Sequence, residues 1–263
     1  MNTYALITGA SSGLGLALAE ALARQGRKLI LVARRREALA SVASELSQRF
    51  GVEVLYRICD LSEPLQLSGL LHELENGERP IDLLINNAGI GSAGGFIDQD
   101  WRHEQRLLEL NVLALTRLCH SLGQLMKQRG GGKILNVASL AAFQPGPYMS
   151  TYFASKAYVL HFSEALRVEL APFGVHVSTL CPGPVATHFF TRAGLYSEGL
   201  RKHERLARPE HIAVAALKGL SANRAIIIPV ARDRWLPVLL RLIPRALARR
   251  LSARLIRPLL PRR

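Results

Sequence analysis

The sequence predicts an α/β protein: one doubly wound parallel sheet of about seven strands with helices on both faces, followed by a basic helical extension. Three observations lead there. Short apolar runs rich in β-branched residues or leucine alternate with segments of helical spacing from the first residues onward. The first run ends in a glycine-rich turn that opens a helix. No internal repeat or low-complexity linker interrupts the alternation. Strand–helix alternation of this kind gives a parallel sheet covered on both sides, and right-handed crossovers wind it in two halves.

The elements follow in order. The first strand, "YALIT", runs into "TGASSGLG", with glycines at positions 9, 13 and 15, and then into the helical "LALAEALA". Glycine permits the tight turn and lets backbone approach a pyrophosphate, which then sits on the helix N-terminus. A plain strand-to-helix turn is the alternative; the position directly after strand one favours the phosphate reading. The second strand, "KLILVA", ends at Ala33, where a site for NAD would place an acid for the ribose hydroxyls. Arg34, Arg35 and Arg36 follow instead, opening the helix "REALASVASELSQRF". Three cations at a helix start oppose its dipole, and a bound anion relieves the conflict. The 2′-phosphate of NADP is a natural one. Arg34 and Arg35 are assigned to it, and Arg36 to a solvated turn. "VEVLYRI", "IDLLIN", "KILNVA", "VHVSTL" and "AIIIP" supply the other strands. Ligands of such sheets lie at the strands' carboxyl ends, near the switch in strand order.

The stretch "YMSTYFASK" places Tyr148, Tyr152 and Lys156 four residues apart. A free tyrosine titrates at about 10, and a cation within about 4–6 Å lowers that value. Lys156 is one helical turn from Tyr152. Tyr148 is eight residues from Lys156, about 12 Å along a helix axis, and "QPGP" before it places it in the entering turn, as a wall of the substrate entrance. Bland alternatives stand beside each residue. Tyr-x-x-x-Lys also arises as an amphipathic surface pair, Ser139 as a helix cap, and Asn111 as a buried amide. His161, His176 and His188 are expected to be structural or solvated, and Tyr158 to face away from Tyr152.

With "TGASSGLG", "CDL" at 59–61, "NNAG" at 86–89, Asn111, Ser139, "YFASK" at 152–156 and "PG" at 182–183 in this order, the sequence resembles the short-chain dehydrogenase/reductase family over roughly residues 3–230. The resemblance is to its NADP-preferring Tyr-x-x-x-Lys type and implies a single Rossmann-like sheet. It implies that Gly9, Ser11, Ser12, Gly13, Leu14 and Gly15 hold the cofactor with Arg34 and Arg35, and that Asp60 and Leu61 lie beside the adenine. Asn87, Ala88 and Gly89 would shape the strand-four turn against the cofactor. Tyr152 would protonate the substrate carbonyl oxygen and Ser139 would hydrogen-bond it. Lys156 would hold the nicotinamide ribose, and Asn111 a water in a proton relay. Pro182, Gly183, Val185 and Thr187 would frame the nicotinamide. Cys181 departs from the asparagine often found before the Pro-Gly pair. The helices around 101–128 and 151–172 would pair across a two-fold axis, giving a homodimer or homotetramer.

The family's lid would span about 185–208. Phe189, Phe190, Leu195, Tyr196 and Leu200 would line it, with Arg192, Arg201, Lys202, Arg205 and Arg208 as a basic rim. An apolar or acyl-chain carbonyl compound fits, with an acidic carrier group as a further expectation. The cofactor is expected to be NADP(H), with no metal and no nucleic acid. Three scattered cysteines among 263 residues lack metal or disulfide spacing and suggest a reducing compartment. The opening "MNTYALITGA" lacks the basic start and long apolar run of a signal peptide, so a cytoplasmic location is expected.

The net charge of +14 is uneven: residues 223–263 hold eleven arginines and one acid, Asp233. The basic character therefore belongs to an extension, 231–263, set apart from the catalytic domain at 1–230. Pro237, Pro244 and Pro258 cut it into short helices, and Leu247, Leu251 and Leu255 form an i, i+4, i+8 stripe. The tail packs on its own domain or a partner subunit, or anchors on an acidic membrane surface. Two rival functions remain: an NADP-binding sensor without turnover, and a peripheral membrane protein using the fold as a platform.

Overall fold

The computed structural model describes residues 3–195 and 206–260. Seven parallel strands form one sheet in the order β3-β2-β1-β4-β5-β6-β7. They are β1 (Tyr4–Thr8), β2 (Lys28–Ala33), β3 (Val54–Ile58), β4 (Ile81–Asn86), β5 (Gly132–Val137), β6 (Val175–Leu180) and β7 (Ile226–Ile227). The last is shorter than the run "AIIIP" suggested, because only Ile226 and Ile227 pair with β6.

Alternation along each strand divides the core between the two faces. Ala5 and Ile7 of β1, with Leu29 and Leu31 of β2, pack on one side under α1 (Gly13–Ala23) and α2 (Arg36–Phe50). Leu6, Ile30 and Leu84 pack on the other, under α3 (Pro64–Asn76) and later helices. Local chemistry sets the helix ends: α2 stops at Gly51, whose φ of 64° is the left-handed cap that glycine takes without strain. Pro64 occupies the first turn of α3, where its missing N–H costs nothing.

The helix after β4 is not continuous. α4 (Trp101–Leu108) starts at Asp100, which caps the Arg102 N–H at 3.1 Å. A π-helical segment, Glu109–Ala114, then widens the turn before α5 (Leu115–Gln128). Next come α6 (Ser150–Leu170), the short α7 (Phe189–Arg192) and α8 (Pro209–Ser221). The C-terminal extension forms α9 (Leu236–Leu242) and α10 (Arg245–Ile256), with Pro237 in the first turn of α9 and Pro244 before α10. The sequence stripe is not the face that packs. Ala248, Ser252 and Ile256 are buried, while Leu247, Leu251 and Leu255 are exposed.

Strand order reverses between β1 and β4, and a clasp joins their carboxyl ends. The Thr8 hydroxyl accepts the backbone N–H groups of Asn87 and Ala88, each at 3.0 Å. The Asn87 amide donates to the Thr8 carbonyl at 2.9 Å. Gly15 packs so closely here that a Cβ would fall 2.3 Å from the Gly9 carbonyl oxygen and 2.5 Å from Asn87 Nδ2.

Candidate active site

The crevice above this clasp gathers most of the residues marked in the sequence. Gly9 and Gly13 adopt positive φ, 65° and 58°, which turns the chain from β1 into α1. Ser12 stands at the N-cap in extended conformation without capping through its side chain, and no acid lies in the first turn. The first-turn N–H groups of α1 and their partial positive charge thus face the crevice, as pyrophosphate binding requires. Gly13 also lies against Thr187, since a Cβ there would meet Thr187 Cγ2 at 3.1 Å.

Beside this turn stands a cationic corner. Arg35 Nη2 reaches Ser11 Oγ at 3.4 Å, and Arg34 Nη1 lies 3.4 Å from Asp60 Oδ2. Arg106 of α4 also binds Asp60, and donates to the Ser62 hydroxyl at 3.2 Å. Burial pushes the Asp60 carboxyl up, but hydrogen bonds from Ser62 and the charges of Arg106 and Arg34 outweigh it and hold it low. Arg34 keeps half of its side chain exposed, leaving donors available to an anion. The residues present therefore fit an NADP-type dinucleotide: a cradle with no room for side chains, an open helix terminus and a guanidinium beside the ribose corner.

The chemistry end is more enclosed. Tyr152 and Lys156 share the first turns of α6 and are 8% and 5% exposed. Lys156 Nζ donates to the Val137 carbonyl at 2.9 Å and sits 5.8 Å from the centre of the Tyr152 ring. Burial pushes the Tyr152 phenol up to about 12, against a lowering hydrogen bond with Ser139. Burial lowers Lys156 to about 8, with the Cys181 thiol opposing. Desolvation of the phenolate thus outweighs the lowering contact, which Ser139 supplies. Ser139 also caps the 3₁₀ turn Leu140–Phe143 by accepting the Ala141 N–H at 3.1 Å.

Asn111 lies in the π-helical segment and is 1% exposed. Its amide accepts the Ile90 N–H at 3.0 Å, and donates to the Ile90 carbonyl at 2.9 Å and to Ser155 Oγ at 3.1 Å. The buried-amide reading is thus realised for its side chain, which ties the β4 turn to α6. Gly89 lies beneath, where a Cβ would approach Asn111 Oδ1 at 3.2 Å and Lys156 Nζ at 3.4 Å. Tyr148 precedes α6 with a φ of 68°, unusual for a side-chain-bearing residue, and its carbonyl accepts the Gly94 N–H at 2.8 Å. Tyr158 stacks on Phe162 at 5.6 Å, away from the site.

The substrate side is aromatic and apolar. Phe189 of α7 lies 5.2 Å from Tyr152, and Phe190 meets Phe189 edge-on at 5.5 Å. Leu195 is buried in the same cluster. Val185 pairs with Ala207 as an isolated bridge at the lid's base. Gly183 approaches Asp233, with 2.8 Å between an added Cβ and its carboxylate. The Pro182 carbonyl accepts the Ser139 hydroxyl at 3.5 Å. Half-buried Leu14 packs against one face of the core, and Leu61 is buried in the other. Tyr196, Leu200, Arg201, Lys202 and Arg205 lie outside the described residues; Arg192 and Arg208 are exposed. No cluster of metal ligands occurs among the described residues.

Sequence reasoning missed Arg106 and the tail residues Ile256, Leu259 and Leu260, the last three of which join Tyr152 and Met149 in one cluster. None carries a spacing signal, because each reaches the site through tertiary packing.

The buried ammonium has a measurable consequence. Between about pH 8 and 10.5 the unfolded chain holds a proton on Lys156 that the folded chain releases, so this residue's contribution to stability rises with pH in that window. Urea unfolding of wild type and Lys156→Met across pH 7–10 should show the wild type gaining relative to the variant. Parallel curves would refute the burial argument.

Comparison with known proteins agrees with this geometry. The sequence profile described as short chain dehydrogenase matches residues 3–195. Probable oxidoreductase EphD of Mycobacterium tuberculosis (strain ATCC 25618 / H37Rv) is 31% identical over 270 residues, covering 97% of this chain but only 45% of that protein. Ketoacyl reductase HetN of Nostoc sp. is 34% identical over 223 residues, covering 85% of this chain and 77% of the relative. A short-chain dehydrogenase from Sphingobium yanoikuyae, solved in complex with NADPH, superposes with a TM-score of 0.83 at 37% identity, covering 89% of this chain and 90% of that one. The chain belongs to the short-chain dehydrogenase family of oxidoreductases.

Proposed function

We propose that the protein is an NADP(H)-dependent reductase or dehydrogenase acting on a carbonyl/alcohol pair carried by an apolar or acyl-chain-like substrate. The carrying observation is the buried Tyr152–Ser139 contact above Lys156, roofed by Phe189. The NADPH bound to the Sphingobium dehydrogenase supports the cofactor, and the name ketoacyl reductase for the Nostoc relative supports the substrate class.

When bound, the reduced nicotinamide supplies hydride to the carbonyl carbon. Arg34 and Arg35 hold the 2′-phosphate, and the first turn of α1 receives the pyrophosphate. Asp60 and Leu61 border the adenine, and Pro182, Gly183, Val185 and Thr187 frame the nicotinamide. Tyr152 transfers its phenolic proton to the carbonyl oxygen, so the carbonyl becomes an alcohol and the tyrosine a phenolate. Ser139 donates a hydrogen bond to the same oxygen. Lys156 holds the ribose hydroxyls, and its ammonium stabilises the phenolate once Tyr152 has given up its proton. Asn111 fixes the β4 turn and α6 in register for this transfer, and the widened turn around it is where a relay water would be held. Phe189, Phe190 and Tyr148 wall the substrate, and Tyr196 would extend that wall.

A sensor without turnover has no chemical use for the Tyr152 proton, and this separates the two readings. Tyr152→Phe should lower NADPH-driven ketone reduction roughly 10²- to 10⁴-fold while NADPH binding persists; unchanged turnover removes the assigned acid. For the cofactor, Arg34→Gln should weaken NADPH by roughly 10- to 100-fold, the worth of a charge-assisted contact. NADH should be nearly unaffected, and equal losses for both refute the phosphate assignment.

The chain is read as a homodimer or homotetramer, supported by exposed Leu113, Tyr158 and Val168 along the π segment and α6. Light scattering should give a mass of two or four chains, and a monomer would exclude it. The division into a catalytic domain at 1–230 and an extension at 231–263 is kept in this reading, with the extension as a wall of the catalytic chamber.

A further inference from the structure

The C-terminal extension presents two unlike faces. Ile256 of α10 is buried with Tyr152, Met149, Phe153 and Leu195, and Leu259 and Leu260 pack on that cluster. On the same helix Leu247, Leu251 and Leu255 are 44%, 42% and 70% exposed. α9 and its approach add Trp235, Val238, Leu239 and Leu242, between 49% and 77% exposed. Single exposed apolar residues are ordinary, but seven on two consecutive short helices mark a contact surface. Exposed Arg241, Arg245, Arg249, Arg250 and Arg254 run among them, and no acid follows Asp233.

That charge pattern selects the partner. A second copy meeting this face would set arginines against arginines. Nucleic acid would want aromatic stacking platforms, and Trp235 stands alone here. An anionic bilayer satisfies both components: headgroups take the guanidiniums, whose stems snorkel, while leucines enter the acyl boundary. Among the described residues no helix is long and apolar enough to cross a membrane, so such a contact lies in the interface plane.

The geometry points to α9 and α10 docking on an anionic lipid surface, with α10 as a wall shared between the bilayer and the active-site chamber, so that an apolar carbonyl substrate reaches Tyr152 from the lipid side. The route rests on the reductase reading above; the docking does not.

The test uses the full chain with vesicles of phosphatidylcholine, with or without phosphatidylglycerol. Wild type should sediment with the anionic vesicles, less so at high salt, and not with phosphatidylcholine alone. The combined Leu247→Ser, Leu251→Ser and Leu255→Ser variant should bind roughly tenfold or more weakly. It should keep wild-type turnover of a water-soluble ketone and lose turnover of a long-chain ketone dissolved in the vesicles. Wild type remaining in the supernatant overturns the docking. So does a triple variant that sediments normally, whatever its mass by light scattering. Vesicle binding without turnover of any carbonyl overturns the route and the reductase reading together. Equal turnover of the vesicle-borne ketone by both proteins overturns the route alone.

Discussion

Everything at this site depends on how closely the carboxyl ends of β1 and β4 approach. Gly15 can sit against the Gly9 carbonyl only because it carries no side chain, and Gly9 lies against Ala88 and Asn87 for the same reason. The Thr8 hydroxyl and the Asn87 amide then lock the two strand ends together. This clasp fixes the open end of α1 over the crevice. It also fixes the β4 turn, whose Ile90 is held by Asn111 and whose Gly89 lies against Lys156. Phosphate end and chemistry end are thus two sides of one rigid joint.

The proposed catalytic pair shows burial and charge in opposition. Both Tyr152 and Lys156 are pushed toward their neutral forms, to about 12 and about 8. A neutral phenol is what a proton donor has to be before it reacts. The lysine sits close enough to stabilise charge that develops later, while the Val137 carbonyl keeps its nitrogen in place. Low dielectric makes each of these contacts count for more than it would in water.

How much of this could be read beforehand follows from the range of the interactions. The strands were legible because short apolar runs and glycine turns are local. β2, β4 and β6 match their runs residue for residue. The helix start of α6 after "QPGP" was also local, which is why Tyr148 could be separated from Tyr152. Arg106 was invisible, since its link to Asp60 spans 46 residues and crosses from α4 to the β3 turn. The tail's packing face was not legible because its leucine stripe is the stronger sequence signal, while the face that packs is built from Ala248, Ser252 and Ile256. The π-helical turn at Asn111 left no mark in the sequence, as its widening comes from the contacts that Asn111 makes.

The three apolar clusters differ greatly in size. Among the described residues, the two that sandwich the sheet each contain more than two dozen buried residues, whereas the one around Tyr152 and Ile256 contains seven. Free energies of local opening follow the number of buried contacts broken. Parting α7 from the end of α10 therefore breaks fewer buried contacts than parting either face of the sheet. Burial among the described residues is thus graded, dense beneath the clasp and sparser around Tyr152. On the proposed reading, substrate exchange would strain the sparse cluster and leave the joint beside the cofactor untouched.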